Sequence, residues 1–126
     1  MGRGPQGKLF YMGPKKKTIV YEVTEDFWWK YITKIENDRK ITANFLFESN
    51  ADPLPAKVET LLCEYHALLG RLEELLDEMD DPEFFVKERK SFLVSETQGM
   101  EFSLLLAALV NVKESLKDFN YSINFH

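Results

Sequence analysis

Hydrophobic and polar positions change their period near the middle of this chain. Before residue 49 they tend to alternate at every second position, and after residue 55 they recur at three and four. Residues 8–12 (Lys-Leu-Phe-Tyr-Met) read as a short strand, and Gly13-Pro14 turns the chain. Across 18–23, Ile19, Tyr21 and Val23 share one face, with Thr18, Val20 and Glu22 on the other. Across 40–47, Ile41, Ala43, Phe45 and Phe47 oppose Lys40, Thr42, Asn44 and Leu46. Both patterns predict half-buried antiparallel strands. Residues 24–36 fit two templates. As a strand, Phe27, Trp29, Tyr31, Thr33 and Ile35 align, and Glu36-Asn37-Asp38 is the hairpin turn into 40–47. As a helix, Thr24 is the N-cap, Glu25 and Asp26 suit the positive end of the dipole, and Trp28, Tyr31, Ile32 and Ile35 form a stripe. Aromatic and β-branched content favours the strand, which is the expectation carried forward.

Ser49 to Pro55 is a cluster of turn and helix-start residues that divides the chain. Beyond it, Val58, Leu61, Leu62, Tyr65, Leu68, Leu69, Leu72, Leu75, Leu76 and Met79 describe the wide apolar face of a core-facing helix. Pro53 or Pro55 suits its first turn, and Gly70 weakens it by roughly 1 kcal/mol without breaking the pattern. Asp81-Pro82 predicts a second helix, with Phe84, Phe85, Phe92 and Leu93 as its apolar side. Ser95-Glu96-Thr97-Gln98 reads as a capping box opening a third. There Phe102, Leu105, Leu109, Val112, Leu116 and Phe119 repeat at helical spacing, and Leu104, Leu106, Ala107, Ala108 and Val110 widen the apolar surface. Such a helix is expected to be covered on more than one side, by the sheet and first helix or by a second subunit. Residues 121–125 alternate and suggest a short final strand.

Composition narrows the class. In 126 residues, 44% hydrophobic and 29% charged, the chain has the make-up of one globular domain. A single cysteine, Cys63, allows no intrachain disulfide, and the N-terminal residues lack an apolar leader; both favour a cytoplasmic protein. No apolar run approaches the ~20 residues of a bilayer span. The net charge of −5 is unevenly distributed, since residues 1–20 hold five basic residues and no acid. Glu73, Glu74, Asp77, Glu78, Asp80, Asp81 and Glu83 form the most acidic stretch. An acidic body disfavours nucleic acid as the main partner, because phosphate backbones demand a basic face. Acid at the C-terminal end of a helix also opposes the helix dipole, so stability does not account for the cluster, which reads either as the solvated outer face of a helix with an acidic turn or as a surface for a basic partner.

Catalytic and metal motifs fail on their own terms. Gly2 to Lys8 matches the first part of the phosphate-loop pattern, but Leu9 stands where Ser or Thr must hold magnesium, and neither strand nor helix flanks it correctly. Cys63 and His66 lie off the leucine face, and with His126 they are too few for a zinc site. No third group orients them as a nucleophile pair. Phe27, Trp28, Trp29 and Tyr31 crowd together beside Lys30, Lys34, Arg39 and Lys40, a combination suited to an aromatic anion.

The expectation is therefore an α+β domain over residues 1–126, an N-terminal antiparallel sheet of three to four strands packed on a C-terminal helical hairpin. Residues 1–7 are expected as a flexible basic tail, 8–48 mainly as strands and 53–119 as helices. The expected function is that of a small non-catalytic protein-interaction module (an inhibitor, immunity-type or chaperone-like protein). It would act through the acidic surface of Glu73, Glu74, Asp77, Glu78, Asp80 and Asp81 and through the apolar last helix, with a basic protein partner and self-association as a dimer. The alternative is a binder of a nucleotide or other aromatic anion through Trp28, Trp29, Lys30, Tyr31, Lys34 and Arg39. Neither reading calls for a cofactor or a metal.

Overall fold

Thr24 converts the first strand into a helix. Its backbone is extended, while its side-chain oxygen accepts the Phe27 N–H at 3.2 Å, and Glu25 and Asp26 occupy the positive first turn. The computed structural model describes residues 19–48 and 54–121. Within them the order is β1 (Ile19–Thr24), α1 (Glu25–Ala43), a π-helical turn (Asn44–Glu48), α2 (Ala56–Met79), a 3-10 turn (Pro82–Phe84), β2 (Phe85–Val86), β3 (Ser91–Ser95) and α3 (Glu96–Lys117). The molecule is α+β, mostly helical, with one antiparallel sheet in the order β1-β3-β2. The expected strand near β1 is present. The predicted strands at 8–12 and 121–125 and the basic tail lie outside the described residues, apart from Tyr121.

Two expectations are overturned. Residues 24–36 and 40–47 are not a hairpin but α1 and the turn that follows it. The residues α1 buries are Trp28, Ile32, Ile35, Asp38 and Thr42, spaced by four, three, three and four. That period runs straight through the supposed turn at Glu36-Asn37-Asp38. It is hidden in the sequence because two core-facing positions carry polar side chains. The predicted helix after Pro82 is only a 3-10 turn, capped as expected by Asp81, whose side chain accepts the Glu83 N–H at 3.0 Å. The chain then forms the β2–β3 hairpin, and Lys90 takes a left-handed conformation (φ 48°) to close it. No glycine or asparagine marks that turn, so it escaped recognition.

α2 is the spine. It buries Val58, Leu62, Tyr65, Leu69, Leu72, Leu75, Leu76 and Met79, the face expected from its leucines. α1 and α3 both pack along it, and the sheet closes the end where α2 terminates. Each fully buried leucine contributes about 1.5–3 kcal/mol of apolar burial. α3 opens with the expected capping box: Ser95 Oγ accepts the Gln98 N–H at 3.2 Å and Gln98 Oε1 accepts the Ser95 N–H at 3.1 Å. At its other end Asn120 turns left-handed (φ 62°) and the Tyr121 N–H closes back on the Leu116 carbonyl at 3.1 Å.

The three layers meet at Trp28. Its ring packs on Phe92 of β3 at 6.0 Å, and its indole N–H donates to the Leu76 carbonyl at 2.7 Å. That carbonyl belongs to the last turn of α2 and accepts the Asp80 N–H at 3.2 Å as well, so the indole takes its second lone pair. Trp28→Phe removes the donor and part of the ring, and is expected to cost about 1–2 kcal/mol. Trp29→Phe, at a position 59% exposed, is expected to change stability by less than about 0.5 kcal/mol. Urea denaturation followed by far-UV circular dichroism measures both.

Candidate functional site

Helix geometry divides the acidic stretch into two groups. Glu73 turns toward α1 and forms an ion pair with Arg39. Asp77 and Asp80 follow on the same side. Partial burial, then the charges of Glu73 and Asp80, push the Asp77 carboxyl above its ordinary value. Glu74 and Glu78 turn toward α3, where Arg71 lies 3.1 and 3.9 Å from them and also pairs with Glu101 of α3. Asp81 serves as the cap described above. Each exposed pair contributes little to stability. Together they engage Glu73, Glu74 and Glu78 within the molecule, and Asp77 and Asp80 are the exposed acids of the six outside these bridges and the cap.

The aromatic and basic residues of α1 separate in the same way. Trp28 is core. Trp29 stands edge-on to it at 5.4 Å and, with Lys30, Thr33, Lys34 and Asn37, borders a shallow hollow of about 600 Å³ on the outer side of the helix. Tyr31 faces the opposite way, stacked between Phe27 at 5.0 Å and Phe102 of α3 at 5.3 Å. Arg39 is committed to Glu73, and Lys34 lies 3.3 Å from Asp38. The alternative ligand-binding set is thus spread over three faces of one helix.

Residues that sequence reasoning passed over hold the α1–α2 seam. Asp38 is 2% exposed and Thr42 is fully buried. Burial, and then the charge of Asp38, hold the Tyr65 hydroxyl proton far above the ordinary tyrosine range. Thr42 Oγ1 lies 3.2 and 3.1 Å from the Asp38 and Arg39 carbonyls and 2.7 Å from His66 Nδ1. With the single hydroxyl proton on a carbonyl, the oxygen accepts from the imidazole N–H. His66 therefore sits at the boundary of the core, while Cys63, one turn away, is exposed. Among the described residues no group of three or more His, Cys, Asp and Glu is arranged to hold a metal, and no helix is long and apolar enough to cross a membrane. A polar residue at a core spacing was the available signal for Asp38 and Thr42, legible only once the helical register is known.

The clearest surface feature is on α3. Its inner side, with Leu109, Val112 and Leu116, is buried, but its outer side is open. Met100 is 59% exposed, Leu104 70% and Val110 56%, with Ala107 exposed between them. No charged residue occurs between Glu101 and Lys113. Within the single chain, this outer side of the helix expected to be covered on more than one side stays open.

Comparison with protein-family models, curated proteins and solved structures finds no match to this chain.

Burial, and then the Arg39 charge, hold the His66 imidazole below its ordinary value of 6.5. As pH falls through 6.5, the unfolded chain takes up a proton that the folded chain takes up only at lower pH. Stability is expected to fall over that window, and His66→Gln is expected to flatten the fall. Urea midpoints measured from pH 7.5 to 5 check this.

Proposed function

We propose that this protein is a non-catalytic interaction module whose main binding surface is the outer face of α3, and that this face first engages a second copy of the same chain. The open stripe of Met100, Leu104, Ala107 and Val110 carries the reading. Two copies of a chain with net charge −5 repel one another over most of their surfaces. The stretch from 102 to 112 is free of that repulsion.

The sequence of α3 also favours one arrangement. If two α3 helices cross antiparallel about a two-fold axis at Ala107, Leu104 of one copy faces Val110 of the other, and Ser103 faces Asn111. The small alanine at the axis lets the helices approach closely. Asp77 and Asp80 remain accessible beyond this face, so a basic protein can add to the dimer.

Leu104→Glu is expected to convert a dimer to a monomer in light scattering at tens of micromolar chain. A chain that is already monomeric there overturns the self-pairing. The register has its own check. In a Cys63→Ser background, Ala107→Cys is expected to oxidise rapidly to a disulfide-linked dimer, whereas Asp118→Cys is not. Equal cross-linking at both positions counts against the two-fold axis at Ala107.

A further inference from the structure

Between the sheet and the first turns of α1 and α3 lies a cleft of about 490 Å³, within the size range of small-molecule sites. Val23, Phe27, Leu76, Met79, Val94 and Phe102 make it mostly apolar. The cleft is open to solvent along Thr24, Phe27 and Ser103, so its apolar walls are surface that a ligand would remove from water. Gly99 sharpens the point. It is a buried glycine inside α3 that lines the cleft, where alanine would favour the helix by about 1 kcal/mol. The chain forgoes both helix propensity and packing at this position, and the result is space.

The charge of the occupant follows from Glu22, the one ionised side chain on the wall among the described residues. Its carboxylate is already held. Arg89 Nη2 donates to Oε1 at 2.6 Å, Arg89 Nε reaches both oxygens at 2.9 Å, and Ser91 Oγ donates to Oε2 at 2.8 Å. These bonds keep Glu22 ionised and below its ordinary carboxyl value. A charged ligand would find no counter-ion left to offset its desolvation. Thr24 Oγ1 accepts the Phe27 N–H and keeps its own proton for a ligand acceptor.

We propose that this cleft binds an uncharged, apolar small molecule with an aromatic or alkyl body and at most one or two hydrogen-bonding groups. The cleft adjoins the outer face of α3 at Ser103, which lines the one and lies within the other. The probe is N-phenyl-1-naphthylamine, a neutral dye that brightens in apolar surroundings, titrated against the full chain. A saturable signal with one site per chain is expected. Gly99→Leu, which fills the cleft, and Ser103→Phe, which blocks it from an exposed wall position, are each expected to weaken binding about tenfold or more. Leu104→Glu is expected to leave the dye affinity within about twofold, since that side chain does not line the cleft. If Gly99→Leu does not fold, Ser103→Phe introduced into the Leu104→Glu chain, where the α3 face is already disrupted, decides. No saturable signal from the unmodified chain overturns the proposal. So does a signal that survives in the folded cleft variants but is lost in Leu104→Glu, because the dye is then reporting the α3 face.

Discussion

The position of Trp28 determines how the rest of the molecule is joined. Its ring is the apolar contact between α1 and β3, and its indole N–H answers a carbonyl in the last turn of α2. An aromatic ring that large, placed with its one donor satisfied, combines a wide apolar burial with a directional bond. It fixes where α1 begins relative to where α2 ends. From that point the helices run away from the sheet, α1 and α3 on either side of α2. The cleft at Phe27 and Phe102 and the α1–α2 seam at Asp38 and Thr42 are successive consequences of that one placement.

The charged residues work mainly at the seams. Arg39 joins α1 to Glu73, Arg71 joins α2 to Glu101, and Arg89 joins the hairpin to Glu22 of β1. Each arginine links two elements that are distant in sequence. Every one of these carboxylates would otherwise face solvent as part of a net negative surface. The surface proposed for association is defined by subtraction: a helix side with no charge over eleven residues, 102–112, and two aspartates at the end of α2. That inverts the weight given by composition, which drew attention to the acid first and to the apolar strip second.

The legibility of the fold followed the purity of its patterns. α2 was plain because leucines recur on one face for its whole length, and the start of α3 was plain because Ser95 and Gln98 are both needed for a capping box. α1 was obscured because the core accepts Asp38 and Thr42. With those positions polar, the remaining apolar residues alternate well enough to resemble strands. The β2–β3 hairpin was obscured by a turn of four charged residues, Lys87 to Lys90, whose left-handed member is a lysine. The candidate surfaces were legible in kind but not in grouping. Which of Trp28 and Trp29 is core, and which acids meet an arginine, depend on helix rotation and on neighbours that one-dimensional spacing does not contain.

The sheet joins parts of the chain that are far apart in sequence. β1 pairs Ile19 with Ser95 and Thr24 with Ser91, and the indole bond spans 48 positions. By contrast, α2, the β2–β3 hairpin and α3 are consecutive and can assemble with short loops. Closing the long loop costs entropy before its contacts form, so the pairing of β1 with β3 is expected late in folding. Interactions that form late mainly govern the rate of unfolding. The lifetime of the native state, more than the speed at which it is reached, is therefore expected to depend on the N-terminal strand.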